Sequence, residues 1–140
     1  DVLFCGDTLF AGGCGYLFDG PPKKMHTSLA RFAALPKATR VCCAHEYTED
    51  NLSFAAWIEP GQTDVSERQA RVAAQRAKGL CTVPSTIEDE LKTNPFLRGH
   101  SALLLAELAK HMPQANLQDP VAVFAATRAL KDSKRYREGR

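Results

Sequence analysis

The sequence predicts an α/β layer followed by an all-helical segment, with the seam near residue 48. Two observations carry that expectation. Apolar runs at residues 2–5 and 40–44 flank a stretch of helical periodicity, which is a β-α-β pattern. Beyond Thr48, apolar residues recur only at helical spacing.

The first strand is expected at residues 2–5, with Gly6-Asp7-Thr8 at its carboxyl end. The run Asp1-Val-Leu-Phe-Cys5 reads as a buried core strand, and it opens with no initiator Met and no lead-in turn, so the chain is expected to be cut from a longer one. A glycine-rich loop, Ala11-Gly-Gly-Cys-Gly15, comes next. Pro21 and Pro22 then suit a helix start, and Met25, Leu29, Phe32 and Ala33 share one face of a helix ending at Leu35 before Pro36. The second strand, at 40–44, leads into His45-Glu46-Tyr47.

The helical segment begins with a helix over about 50–58 that stops before Pro60. A second spans about 64–78 and is capped by Gly79. Ser85-Thr-Ile-Glu88 has capping-box spacing, and Asn94-Pro95 closes the short helix after it. Residues 102–111 form a Leu- and Ala-rich helix. Asp119-Pro120 is an N-cap with a first-turn proline, opening a last helix that runs to about Lys134.

Composition narrows the function classes. The chain of 140 residues is 44% hydrophobic and 24% charged, with a net charge of +2, too small for a nucleic-acid footprint. No apolar run approaches the ~20 residues of a membrane span. The five cysteines, Cys5, Cys14, Cys42, Cys43 and Cys81, are odd in number and include no C-x-x-C, which reads as reduced cysteines of a cytoplasmic protein, mostly in the core. Basic residues crowd the end from Lys131 to Arg140, as a solvated, frayed tail or as a cationic clamp for carboxylates.

Asp7 and His45 share one logic, since each follows a predicted strand, where layered α/β folds gather ligands. A carboxylate and an imidazole there suit a zinc-class metal or a general acid/base pair; a turn residue and a surface histidine are the plainer reading. Catalytic zinc usually takes three protein ligands, and only these two are well placed; His26, His100 and His111 fall within helical parts. On the last helix Lys131 and Lys134 are three apart, with Arg128 a turn earlier and Arg135 alongside.

Gly6-Asp7-Thr8-Leu9-Phe10, Gly13-Cys14-Gly15, Ala44-His45-Glu46-Tyr47-Thr48, Thr82-Val-Pro-Ser-Thr86 and Asn94-Pro-Phe-Leu-Arg98 occur in order. In identity and spacing the chain resembles the hydroxyacylglutathione hydrolase (glyoxalase II) family from residue 1 to about residue 136. The resemblance implies an αββα metallo-β-lactamase sandwich, incomplete here (residues 1–48), followed by a helical glutathione-binding domain (49–140). It implies that Asp7 bridges two divalent metal ions and that His45 ligates one. Zinc is the first expectation, with iron or manganese as alternatives. Tyr47, Lys131 and Lys134 would contact glutathione, Lys131 standing where the family commonly has Arg. Tyr16 and Phe18 are the other implied substrate-binding positions, Tyr16 standing where members usually carry Lys or Arg and Phe18 where many have Tyr. The family's His-x-His-x-Asp-His run belongs upstream of residue 1.

The implied reaction is hydrolysis of S-D-lactoylglutathione to D-lactate and glutathione, the second step of methylglyoxal detoxification, by a hydroxide held between two metals. The full-length parent is expected to be a cytoplasmic monomer acting on a small molecule, with no nucleic-acid or membrane partner, and this piece alone is expected to be inactive. Two other readings stand beside it. One is a persulfide dioxygenase with a single iron, against which the long helical extension argues. The other is a non-catalytic module, either a glutathione-binding remnant or a basic-tailed interaction domain.

Overall fold

The computed structural model describes residues 1–138; Gly139 and Arg140, the end of the expected basic tail, lie outside the described residues. Strand β1 (Val2–Gly6) is followed by two short strands, β2 (Leu9–Phe10) and β3 (Gly13–Cys14), then helix α1 (Pro22–Ala33) and strand β4 (Arg40–Cys43). β4 runs parallel to β1 with Leu3 opposite Val41, and α1 is the crossover that a parallel pair requires. The later elements are α2 (Thr48–Ile58), α3 (Thr63–Ala77), β5 (Ser85–Thr86), α4 (Ile87–Thr93), α5 (Ala102–His111) and α6 (Pro120–Ser133).

Local chemistry sets most boundaries as expected. Asp119 accepts a hydrogen bond from the Val121 amide at the start of α6, and Asn94 ends α4 before Pro95. Gly79, at φ +70°, turns the chain just after α3. The capping box is displaced by one residue. Thr86, the last residue of β5 and the one directly before α4, accepts from the Asp89 amide in place of Ser85.

Three expectations change. First, β1 is covered on one face only among the described residues: Leu3 and Cys5 face the protein, while Phe4 on the other face is 83% exposed. The sheet order β1-β4-β5 leaves β1 at an edge, paired on one side only. Second, the glycine-rich loop is part of a β2–β3 hairpin: residues 11–12 make its turn and Gly13–Cys14 its second strand. Third, the residues before 139 are not a frayed tail: Arg135–Arg137 forms a 3-10 turn with Tyr136 buried. Of the cysteines, Cys5 and Cys14 are buried, Cys42 and Cys43 half-buried and Cys81 exposed, all as free thiols.

The described residues thus form an α/β unit with few strands and six helices. Their strands form one three-stranded sheet and one two-stranded hairpin, which is less than an αββα sandwich. Residues from both sides of position 48 share one core, including Leu9, Leu29 and Val41 with Phe54, Ile58 and Leu104. Two buried carboxylates tie the helices together. Glu90 is fully buried against the Arg68 guanidinium at 2.8 Å, and Glu59 is fully buried against Arg98 at 3.0 Å.

Candidate functional site

β1 and β4 end side by side, so the residues that follow them converge. Gly6 takes φ +51°, a left-handed turn that glycine adopts without penalty, and delivers Asp7 beyond the strand end. The Ala44 amide donates to the Gly6 carbonyl at 3.0 Å, holding the two strand ends together. The Asp7 carboxylate and His45 Nε2 then stand 3.4 Å apart, both exposed. The His45 ring stacks on Tyr47 with centroids 5.1 Å apart, and Phe10 meets Tyr47 edge-on at 5.2 Å.

The hairpin forms the floor, and the helical segment holds it. Asn94 Nδ2 donates to the Gly13 carbonyl at 3.0 Å and to Glu90, Glu90 accepts from the Gly12 amide at 2.8 Å, and Asn51 donates to the Ala11 carbonyl. Gly15 is required for a different reason: a Cβ there would lie 2.0 Å from the Asp7 carbonyl oxygen. The loop can pass beneath Asp7 only without a side chain.

α6 supplies the far wall. Arg128 is buried, donates to the Cys14 carbonyl at 2.8 Å and to Asp132 at 2.7 Å, and lies 5.1 Å from the Tyr16 ring centroid. Tyr16 and Phe18, both exposed, form an edge-to-face pair. Lys131 is buried, with Nζ 3.3 Å from Asp50 and 5.0 Å from the Tyr136 ring centroid. Burial pushes its ammonium down to about 8, against the Asp50 carboxylate, which favours the charged form. Asp50 shows the opposite balance. Burial opposes its charge, but hydrogen bonds from Arg137 and Tyr136 and the charge of Lys131 hold it at about 2. Burial and the Asp50 acceptor push Tyr136 up to about 12. Lys134 is exposed and stands just past α6 at φ +60°.

These groups surround one cleft of about 360 Å³. Asp7, His45 and Tyr47 line it together with Tyr16 and Phe18, and Lys131 and Lys134 line it as well. All seven residues singled out in the sequence therefore face one space. Reading the sequence missed Asp50, Tyr136 and Arg137, which also line it, and gave Arg128 only a neighbour's part. The spacing Arg128-x-x-Lys131 was visible; the partners of Asp50 were not. His26 and His100 line a separate cleft between α1 and α6.

The donor chemistry at one end suits a divalent metal: a carboxylate oxygen and an imidazole nitrogen, both open to the cleft and close enough to bind one ion. Among the described residues no group of three His, Cys, Asp or Glu side chains could hold a metal ion. The other end is cationic and suits carboxylates.

The family described as "Hydroxyacylglutathione hydrolase C-terminus" matches residues 46–134. The chain is 55% identical over 133 residues to a protein named "Hydroxyacylglutathione hydrolase" from Ectopseudomonas mendocina (strain ymp), covering 94% of this chain and 51% of that protein. Proteins of the same name from Synechococcus sp. (strain JA-2-3B'a(2-13)) and Alkalilimnicola ehrlichii (strain ATCC BAA-1101 / DSM 17681 / MLHE-1) are 53% and 51% identical. They match 93% and 94% of this chain and 49% and 51% of their own lengths. The chain spans about half the length of these curated relatives.

Proposed function

The chain belongs to the hydroxyacylglutathione hydrolase family, and on that premise we propose that the whole protein hydrolyses glutathione thioesters, S-D-lactoylglutathione being cleaved to D-lactate and glutathione. One observation carries the reading: a carboxylate–imidazole pair and a cationic wall face each other across a single cleft. A thioester with an acyl group at one end and peptide carboxylates at the other matches that polarity.

Residues 1–48 are read as the end of a metallo-β-lactamase sandwich and 49–140 as the substrate arm. Asp7 and His45 would provide two donors for divalent metal, zinc first and iron or manganese as alternatives. When bound, such metal supplies activation of water at neutral pH and positive charge opposite the developing oxyanion. Lys131, Lys134 and Arg128 would draw the glutathione carboxylates to the far wall, and Tyr47 would fix the peptide between the two ends. Their contribution is positioning, which turns a bimolecular encounter into an oriented one. The leaving thiolate has a pKa of about 8.5, so no strong general acid is needed.

Five free cysteines suit a reducing compartment, and we place the whole protein in the cytoplasm as a monomer acting on a small molecule, without nucleic-acid or membrane partners. No helix among the described residues is long and apolar enough to cross a membrane. The test is thiol release from S-D-lactoylglutathione by the metal-loaded, full-length protein. Release without oxygen uptake supports the reading. No release, or oxygen uptake with glutathione persulfide, overturns it.

A further inference from the structure

Two cations of the wall, Lys131 and Arg137, are organised around one carboxylate. Asp50, in the first turn of α2, accepts from Tyr136 Oη at 2.7 Å and from Arg137 Nη2 at 3.0 Å through Oδ2, and from Arg137 Nε at 3.1 Å through Oδ1. Lys131 Nζ reaches the same Oδ2 at 3.3 Å. Asp50 and Lys131 lie inside the family match at 46–134, and Tyr136 and Arg137 just past its end. Between α6 and the 135–137 turn, Lys134 adopts a left-handed conformation that a side chain disfavours, and the tertiary contacts of the turn hold it there.

We propose that Asp50 is a positioning residue: it sets the Lys131 ammonium and the Arg137 guanidinium at the cleft and ties the 135–137 turn to α2, so that an anionic ligand meets two preplaced donors. The proposal rests on the reading that the cleft takes the glutathione part of the substrate. Preplacement matters because a free lysine loses side-chain entropy on binding, whereas a fixed one does not. Asp50 has a second effect through charge. Lys131 is faced by Asp50 and the Phe54 ring from α2, Arg128 from α6, Tyr136 and Arg137 from the turn, and Cys14 from the hairpin. Asp50 is the carboxylate that favours the charged ammonium; Arg128 and Arg137 oppose it.

This yields opposite signs for two substitutions. Asp50→Asn keeps an acceptor but removes the charge, so Lys131 loses its proton at lower pH. Arg137→Gln removes an opposing cation, so Lys131 keeps its proton to higher pH. A purely structural clasp would lower thermal stability in both variants and leave the pH at which ligand binding fades unmoved.

The experiment is calorimetric binding of S-methylglutathione, a non-hydrolysable thioether, to the protein and both variants between about pH 6 and pH 9. Binding to the unaltered protein is expected to fade as pH rises through about 8. With Asp50→Asn it should be about tenfold weaker at neutral pH and fade at lower pH. With Arg137→Gln the fading should move to higher pH, which carries the test even where Asp50→Asn does not fold. Unchanged fading in the variants, with binding intact in the unaltered protein, overturns the positioning role. No binding to the unaltered protein overturns the reading of the cleft and this inference with it.

Discussion

The Asp7 carboxylate and the His45 imidazole stand 3.4 Å apart at the ends of two adjacent parallel strands, β1 and β4. Neither residue contacts the other through local sequence; the parallel register brings them together. In the full-length protein, Asp7→Asn or His45→Ala should lower bound metal by more than the about 10–100-fold that loss of an outer-sphere partner costs. Metal analysis after dialysis reads this directly, and undiminished metal content would refute the donor role. For the present chain a chelator should leave the melting temperature unchanged, because two donors do not close a site.

Lys131 should be the strongest single determinant of anion binding. Lys131→Met keeps the buried stem against Phe54 and removes the charge, and should weaken S-methylglutathione binding by about tenfold or more. A variant that binds as tightly as the unaltered chain would show that Lys131 serves packing alone.

The buried pair Glu90–Arg68 should matter for folding rather than for ligand. Glu90→Ala strands the Arg68 guanidinium in the core and removes the acceptor for the Gly12 amide, at a cost of about 3–5 kcal/mol. Chemical denaturation measures this. The same substitution should also loosen the hairpin under Asp7, visible as faster amide exchange at Gly12 and Gly13.

Stability toward acid has a definite sign. Asp50 is held at about 2 in the folded protein against an ordinary 3.8, so its contribution is present above pH 3.8 and is lost as pH falls toward 2. Asp50→Asn should flatten the stability curve in that window. Lys131 acts on the other side: its folded value of about 8 lies below the ordinary 10.5, so the unfolded chain holds more protons between them, and stability rises with pH there. Lys131→Met should remove that rise.

Much of this was legible in the sequence where the signal is local. Asp119-Pro120 announced α6, and the two residues after the apolar runs marked the cleft. The β2–β3 hairpin was not legible, because its two-residue strands carry no periodicity and are held by Asn94 and Glu90 from far along the chain. The Asp50 cluster was hidden for the same reason. In sequence Asp50 is an ordinary acidic residue in a helix first turn, and Tyr136 and Arg137 belong to a basic tail; only tertiary packing joins them. Phe4 shows what an apolar run leaves open: its residues alternate between faces, and among the described residues only the Leu3 and Cys5 face is covered.

The decisive measurement is an amide-shift titration of the chain with S-methylglutathione. Binding in the proposed cleft predicts shifts at Gly15, Tyr16, Tyr47 and Lys131, with His26 and His100 in the separate cleft unmoved. Shifts confined to His26 and His100, or none at all, would contradict a glutathione-binding role for the cleft between Asp7 and Lys131.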